Sequence, residues 1–288
     1  MKHFLVYTNL HKDPDMETAR YISDYLTKND QKATVLTDSG DWKESDTEAS
    51  GRLKELPTDV DCLLVLGGDG TVLQAARETC GLGIPMLGVN LGTVGYLTQV
   101  EPAQLPAALD RLIAGEYTQE KRMMLSGFVS LRDGSRKESW SLNDIVITRR
   151  GILQVMQFHI YVNGKFLNTY NADGVIVTTP TGSTGYNLSA GGPIVSPRAR
   201  MIILTPICPH SLNQRSIIFS AEDIIEIEIP KGREGRVQTA EVNFDGTHTI
   251  ELVTGDRIRV AQSEKSTEFI QLNDVSFLEV LHKKLYEG

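Results

Sequence analysis

The chain has 288 residues, 40% of them apolar and 23% charged, which suits one large globular domain or two ordinary ones. Its 29 basic and 37 acidic residues leave a net charge of −8, which argues against a nucleic-acid backbone as partner, and no apolar stretch is long enough to span a bilayer. Cys62, Cys80 and Cys208 are scattered without metal-ligand spacing and read as reduced thiols of a cytoplasmic protein, and the N-terminal run from Met1 to Tyr7 is too short for a signal peptide.

Up to about Lys121 the pattern alternates strand and helix, which predicts parallel βαβ units. His3 to Asn9 is the first expected strand, and Met16 to Asn29 a helix with Met16, Ala19, Ile22 and Leu26 on one face. Lys32 to Thr37 is the second strand. Asp38 to Ser50 is polar and acidic and reads as a loop. Asp61 to Leu66 is the third strand, followed by Gly67-Gly68-Asp69-Gly70-Thr71 and a helix expected from Val72 to Thr79. Pro85 to Asn90 is a fourth strand, followed by a second Gly-rich turn through Gly92 and Gly95, with Tyr96 and Leu97 read as packing residues. Leu105 to Gly115 is a helix.

Beyond Lys121 the texture becomes alternating and β-branched. Ser126 to Leu131, Ile145 to Thr148, Met156 to Val162, Gly174 to Thr179, Ile202 to Leu204, Ile224 to Ile229 and Arg257 to Ala261 read as strands, with turns at Asn163-Gly164 and Asp245-Gly246. This predicts a mostly-β second domain. Phe277 to Lys284 reads as a helix that returns to the first domain, giving expected boundaries of 1–122 with 266–288 for the first domain and 123–265 for the second.

A Gly-rich turn between strand and helix leaves N–H groups free to cradle phosphate. An acid within it, Asp69, repels that ligand unless it accepts a proton or helps hold a cation; its plain structural alternative is a helix N-cap. The loop matches neither the Walker A pattern nor the dinucleotide GxGxxG fingerprint. Asn143-Asp144 reads as a turn before a strand, or as an amide and a carboxylate suited to ribose hydroxyls or a base edge. The segment from Asp173 to Pro193 is the densest in hydroxyl and Gly residues. Those groups suit phosphate or sugar oxygens, and Tyr186 suits stacking on a planar ring; the alternative is a Thr/Ser-rich surface turn. His210 and Cys208, among prolines, read as structural, Cys208 as a packed small side chain. Nothing places a catalytic triad or a metal cage.

Together these segments resemble the NAD kinase family. The resemblance rests on Gly67 to Thr71, Asn90 to Thr98, Asn143-Asp144, Asp173-Gly174, Thr179 to Pro193 and Pro206 to Leu212, in family order along most of the chain. Gly-Gly-Asp-Gly-Thr alone is shared with lipid kinases and phosphofructokinases; the Thr181 to Tyr186 run with Ala190-Gly191-Gly192-Pro193 is more specific. The resemblance implies a Rossmann-like α/β domain with a parallel sheet, as in phosphofructokinases and lipid kinases, plus a mostly-β C-terminal domain. It implies transfer of a phosphoryl group from ATP, or from a related donor such as polyphosphate, to the adenosine 2′-hydroxyl of NAD, giving NADP. Asp69 would be the proton acceptor. Gly68 and Gly70 would belong to the binding loop, with Gly70 against the dinucleotide phosphates. Asn143 and Asp144 would hold base and ribose, and Asp173 would contact the nicotinamide end. Thr184, Gly185, Tyr186, Asn187, Leu188 and Ser189 would enclose the adenine side.

The chain departs from the family pattern at four positions. Gly185 stands where Ala is common and Gln74 where Arg is frequent. Asn171 and Thr247 are binding positions where some members have Arg and Gln. The resemblance also implies a divalent cation, Mg²⁺, held through the donor phosphates, and a homodimer or homotetramer whose neighbouring subunit completes the site. A carboxylate with a pKa of about 4 is a weak base, so it serves best when proton transfer is late. Two rivals are a lipid kinase, which lacks support in any basic amphipathic segment, and an NAD-binding sensor that keeps the Thr184 to Ser189 pocket without needing Asp69.

Overall fold

The structure, a computed structural model, describes residues 1–37, 57, 59–92, 95–151, 155–211, 213–272 and 276–286. The polar loop expected over Asp38 to Ser50 lies outside the described residues, as do Thr93, Val94 and Leu212. The chain divides into two compact units, Met1–Arg122 with Ser266–Gly288, and Met123–Lys265.

The first unit runs β1 (His3–Thr8), α1 (Glu17–Lys28), β2 (Lys32–Thr37), β3 (Cys62–Gly67), α2 (Asp69–Glu78), β4 (Met86–Asn90), β5 (Thr98–Val100), a 3-10 turn at Pro102–Gln104 and α3 (Leu105–Ala114). β4, β3, β1 and β2 pair in that order, all parallel, with β5 beside β4. Every residue of β1, β3 and β4 is buried, as expected for parallel strands covered on both faces. Phe4, Val6, Leu64, Leu66, Leu87 and Val89 pack with Ala19, Ile22 and Leu26 of α1 and with Leu105, Leu109 and Leu112 of α3 in one core. The i, i+3, i+7 spacing of the α1 residues puts them on one helix face. α2 begins at Asp69, three residues before the expected start at Val72.

β6 (Thr118–Ser130) leads into the second unit, which continues with β7 (Arg136–Ser141), β8 (Asp144–Arg149), β9 (Met156–Val162), β10 (Lys165–Ala172), β11 (Gly174–Thr178), a 3-10 turn at Thr181–Thr184, α4 (Tyr186–Ser189), β12 (Met201–Ile207), β13 (Ile217–Ser220), β14 (Ile225–Glu228), β15 (Thr239–Phe244), β16 (His248–Val253) and β17 (Arg257–Gln271). One antiparallel sheet has the order β13-β12-β11-β8-β15-β16. Further antiparallel pairs join β10, β9, β14 and β17, and β6 with β7. Ile145, Ile147, Val175, Val177 and Val242 pack with Phe158, Ile160, Ile225, Ile227 and Ile258 in a single core. Asn163 and Gly164 both have positive φ (51° and 75°), the two-residue hairpin conformation that joins β9 to β10. From Ser266 onward β17 belongs to the first unit, where Phe269 lies beside Met86 of β4, and α5 (Phe277–Tyr286) follows with no buried residue.

The start of α1 shows how the loops at the strand ends are tied. Asp13 is buried and accepts hydrogen bonds from Thr8 Oγ1 (3.2 Å), Thr18 N–H (3.2 Å) and Ala19 N–H (3.1 Å). It satisfies orphan donors of the first helical turn that the N-cap Met16 leaves open. Asp13→Ala is expected to cost about 2 kcal/mol, read as a lower denaturant midpoint with an unchanged slope.

Candidate functional site

In the first unit, the turns after β1, β3 and β4 emerge at the same, C-terminal, edge of the parallel sheet, where open α/β sheets bind ligands. Main-chain bonds hold them together: Asn9 N–H donates to Leu66 O (3.0 Å) and Leu91 N–H to Gly67 O (2.9 Å). Gly68 is the N-cap of α2, and Asp69 and Gly70 begin its first turn. A Cβ at Gly68 or Gly70 would meet nothing within 4 Å, so both face open space beside the positive end of a ten-residue helix.

Asp69 is not an N-cap. Its carboxylate reaches instead to the second Gly-rich turn, where Tyr96 N–H donates to Oδ2 (2.7 Å) and Leu97 N–H to Oδ1 (3.0 Å). A Cβ on Gly95 would collide with that carboxylate, so Gly is required there by close approach. The backbone of Tyr96 and Leu97 is therefore part of the loop's polar machinery, whereas the sequence had suggested packing alone. Burial, and then the charge of Asp69, raises the Tyr96 phenol above its ordinary value. Lys12, which drew no notice in the sequence, reaches the same turn; its Nζ would lie 3.4 Å from a Cβ on Gly92. Gln74 sits further along α2, bonded to Glu78 (3.0 Å). From α5, Lys284 lies 5.3 Å from the centre of the Tyr96 ring.

The remaining candidates all lie in the second unit. Asp144 opens β8 and is buried; Asn143 precedes it, with an Oδ1 that is buried and has no hydrogen-bond partner among the described residues. Gly185 stands directly against them: a Cβ there would lie 3.6 Å from Asn143 Nδ2, 3.9 Å from Asp144 Oδ2 and 3.3 Å from Gly182 O. An Ala at this position needs only a small adjustment at Gly182. Tyr186 follows, 45% exposed. Its phenol is raised by burial first and then by the charges of Cys208, Asp144 and Asp173, which brings these residues into one neighbourhood.

The Thr/Ser-rich segment is not a surface turn. Thr179, Ser183 and Asn187 are wholly buried. Thr179 Oγ1 donates to Leu142 O (2.6 Å) and Thr178 Oγ1 to Asn143 O (2.8 Å), tying the segment to the start of β8. Asn187 donates to Ser183 O and Pro193 O (3.0 Å each) and accepts from Thr205 Oγ1 (2.7 Å). Its side chain is thus engaged within the protein, and the groups it leaves facing outward are Thr184, Gly185, Tyr186, Leu188 and Ser189, none of them buried.

Asp173 pairs with Arg149 Nε (3.1 Å), and Asn171 Oδ1 accepts from Gln157 (3.1 Å). Thr247 is exposed in the β15–β16 turn, its hydroxyl bonded to Phe244 O (3.2 Å). Cys208, at the end of β12, is exposed and has a φ of 45°, which corrects its reading as a packed side chain. Asp245, which the sequence marked only as a turn residue, accepts three main-chain N–H bonds from Leu142, Asn143 and Asp144. Burial, and then the charge of Asp245, pushes the Asp144 carboxyl from an ordinary 3.8 up to about 7.

Residues 10–117 match the family model described as ATP-NAD kinase N-terminal domain, and residues 142–272 that described as ATP-NAD kinase C-terminal domain. The chain is similar to the NAD kinase of Lachnospira eligens, at 44% identity over 295 residues covering 99% of this chain and 100% of the relative. It is also similar to the NAD kinase of Agathobacter rectalis, at 46% over 285 residues and 99% of each chain. Among solved structures, yeast NADH kinase complexed with NADH superposes with a TM-score of 0.86 at 25% identity, covering 99% of this chain and 87% of that one. An NAD kinase from Archaeoglobus fulgidus in complex with ATP gives 0.76 at 25% identity, covering 98% of each.

The raised Asp144 carboxyl has a signed consequence for stability. The native state keeps a proton that the unfolded chain releases near 3.8, so stability falls as pH rises from there to about 7. Asp144→Asn is expected to remove that fall, and melting temperatures of the two proteins between pH 5 and 8 would measure it. Parallel curves would mean that Asp144 is not the buried acid.

Proposed function

The chain belongs to the ATP-NAD kinase family, and on that premise we propose that Asp69 takes the proton of the adenosine 2′-hydroxyl of NAD while that oxygen receives the γ-phosphoryl group of ATP. The family's activity, NAD kinase activity that produces NADP, is the activity of this protein. The observation that carries the role of Asp69 is its fixed carboxylate at the mouth of a phosphate-type loop. Each oxygen accepts one N–H bond, from Tyr96 or Leu97, and keeps a lone pair for a proton.

In this reading the O2′–P bond forms as the bond from Pγ to the departing ADP oxygen breaks, and the hydroxyl proton ends on Asp69. Phosphoryl transfer runs through a loose transition state, so the hydroxyl becomes acidic late, when a weak base suffices. The N–H groups of Gly68 and Gly70, the α2 N-terminus and Lys12 supply positive potential for phosphates. Mg²⁺ enters with the donor as MgATP; among the described residues, no three His, Cys, Asp or Glu side chains converge to hold a metal.

The second unit supplies the contacts to NAD. The unpartnered Oδ1 of Asn143 is an acceptor for a base or ribose donor, the Asp144 carboxyl faces ribose hydroxyls, and the exposed Tyr186 ring stacks. Thr184, Gly185, Leu188 and Ser189 line the adenine side, with Asn187 holding them from beneath. Asp173 contacts the nicotinamide end, with Asn171 and Thr247 as further positions. The yeast relative was solved with NADH and the archaeal one with ATP, which supports a dinucleotide acceptor and an ATP donor here. Self-association into a homodimer or homotetramer belongs to the same reading. Phe166 (58% exposed) and Leu167 (40%) on the sheet-edge strand β10 offer apolar surface for it. No described helix is long and apolar enough to cross a membrane.

Purified protein with NAD, ATP and Mg²⁺ should form NADP. Asp69→Asn is expected to lower kcat at least ~10²-fold while NAD still binds, measured by coupled assay and calorimetry. Full activity in that variant would remove Asp69 from its role. Gly95→Ala pushes on the Asp69 carboxylate from the second turn, so it is expected to lower kcat by more than tenfold, roughly, with KM for NAD little changed. A rise in KM alone would contradict that assignment.

A further inference from the structure

We propose that Asp245 is the positioning residue of the NAD-acceptor pocket, its carboxylate gathering the main-chain N–H groups of Leu142, Asn143 and Asp144 and so aiming the two side chains that meet the acceptor. The inference rests on the assignment of Asn143 and Asp144 to NAD. β8 and β15 pair with Phe244 opposite Ile145, so Asp245 is the first residue past the paired stretch, level with Asp144. There the ladder is replaced by a clamp. Asp245 N–H donates to Asp144 O (3.1 Å). Oδ1 accepts from Asn143 N–H and Asp144 N–H (2.9 Å each), and Oδ2 from Leu142 N–H (2.7 Å).

These bonds join residues more than a hundred positions apart, and they fix the main-chain N–H groups of a dipeptide that precedes and opens a strand. Thr178 and Thr179 hold the carbonyls of Asn143 and Leu142 from the other side. With donors and acceptors both fixed, the backbone under the two side chains has one arrangement. That is the preorganisation that binding a flexible dinucleotide requires.

The same clamp puts a negative charge beside Asp144. Among the described residues, the titratable groups facing Asp144 are Asp245 from the β15–β16 turn and Tyr186 from α4, whose phenol also feels the charges of Cys208 and Asp173; β11 presents the uncharged Thr178 opposite it. An ionised Asp144 accepts hydrogen bonds from ribose hydroxyls, so NAD binding is expected to weaken on the acid side of about pH 7.

Asp245→Asn is the informative variant. Asp245 has a φ of 50° and Gly246 follows at 69°, a conformation for which Asn is as well suited as Asp, so the turn is retained. The Asn carbonyl keeps the bonds to Asn143 and Asp144, while its amide turns a donor toward Leu142 N–H and the charge is lost. Steady-state kinetics with NAD varied, from pH 6 to 9, should give a KM for NAD raised about tenfold and a KM for ATP within about twofold of wild type. The acid-side fall of kcat/KM for NAD should move to lower pH. A residue that merely braced the turn would lower the melting temperature and leave this profile in place.

Asp144→Asn separates the assignment of Asn143 and Asp144 to NAD from the positioning role of Asp245. If that variant binds NAD as the wild type does, the assignment of Asn143 and Asp144 falls. If it is impaired while Asp245→Asn keeps the wild-type KM and profile, the positioning role alone is overturned. Should Asp245→Asn fail to fold, calorimetric NAD titrations decide: affinity must weaken toward acid in the wild type and stay flat in Asp144→Asn, and a flat wild-type curve would overturn the inference.

Discussion

Aspartate carboxylates that accept main-chain N–H groups from distant segments are the interaction on which this chain's working surfaces depend. Asp69 takes the N–H groups of Tyr96 and Leu97, and Asp245 those of Leu142, Asn143 and Asp144. Asp61 takes Lys2 and His3, and Asp256 takes Arg132. A carboxylate offers four lone-pair directions, so one residue can satisfy several N–H groups where a strand or turn has run out of ladder partners. Hydrogen bonds to a charged group are worth about 1.5–3 kcal/mol, more than neutral ones, which is enough to fix a loop.

The two units use this device to opposite electrostatic effect. In the first, the acid proposed as the proton acceptor is itself the hydrogen-bond acceptor, and the bonds from Tyr96 and Leu97 hold both its oxygens. In the second, the acceptor is Asp245, and the acid nearer the outward-facing groups is left desolvated beside a like charge. Asp69 is thereby fixed by two main-chain N–H groups, and Asp144 retains its proton to about pH 7. A protein of net charge −8 that handles polyanionic substrates has a reason to keep such charges pinned or neutralised.

Much of the architecture was legible in the sequence because its signals are local. Apolar runs announced β1, β3, β4, β9 and β11, and the spacing of Ala19, Ile22 and Leu26 announced α1. β7 and β10 gave no such signal, since Arg136 to Ser141 is largely polar and the first half of β10 is exposed at a sheet edge. At the candidate sites the residue types were visible but not their direction. Thr179, Ser183 and Asn187 looked like a display of polar groups and face inward. The bond from Tyr96 to Asp69 spans 27 positions and those from Asp245 span over a hundred, and no local pattern encodes an acceptor that far away. Gly95 and the Asp245-Gly246 turn were the traces available, each marking a place where backbone geometry is dictated from elsewhere.

The exposure of Cys208 gives the molecule a chemical handle. Of the three thiols, Cys62 is sealed in the first unit's core and Cys80 is half-buried, whereas Cys208 stands open one residue past Ile207, whose carbonyl accepts the Asp173 N–H. A maleimide dye added in limiting amount is thereby directed next to the residues assigned to NAD, where its emission becomes an optical reporter of occupancy with no engineered cysteine.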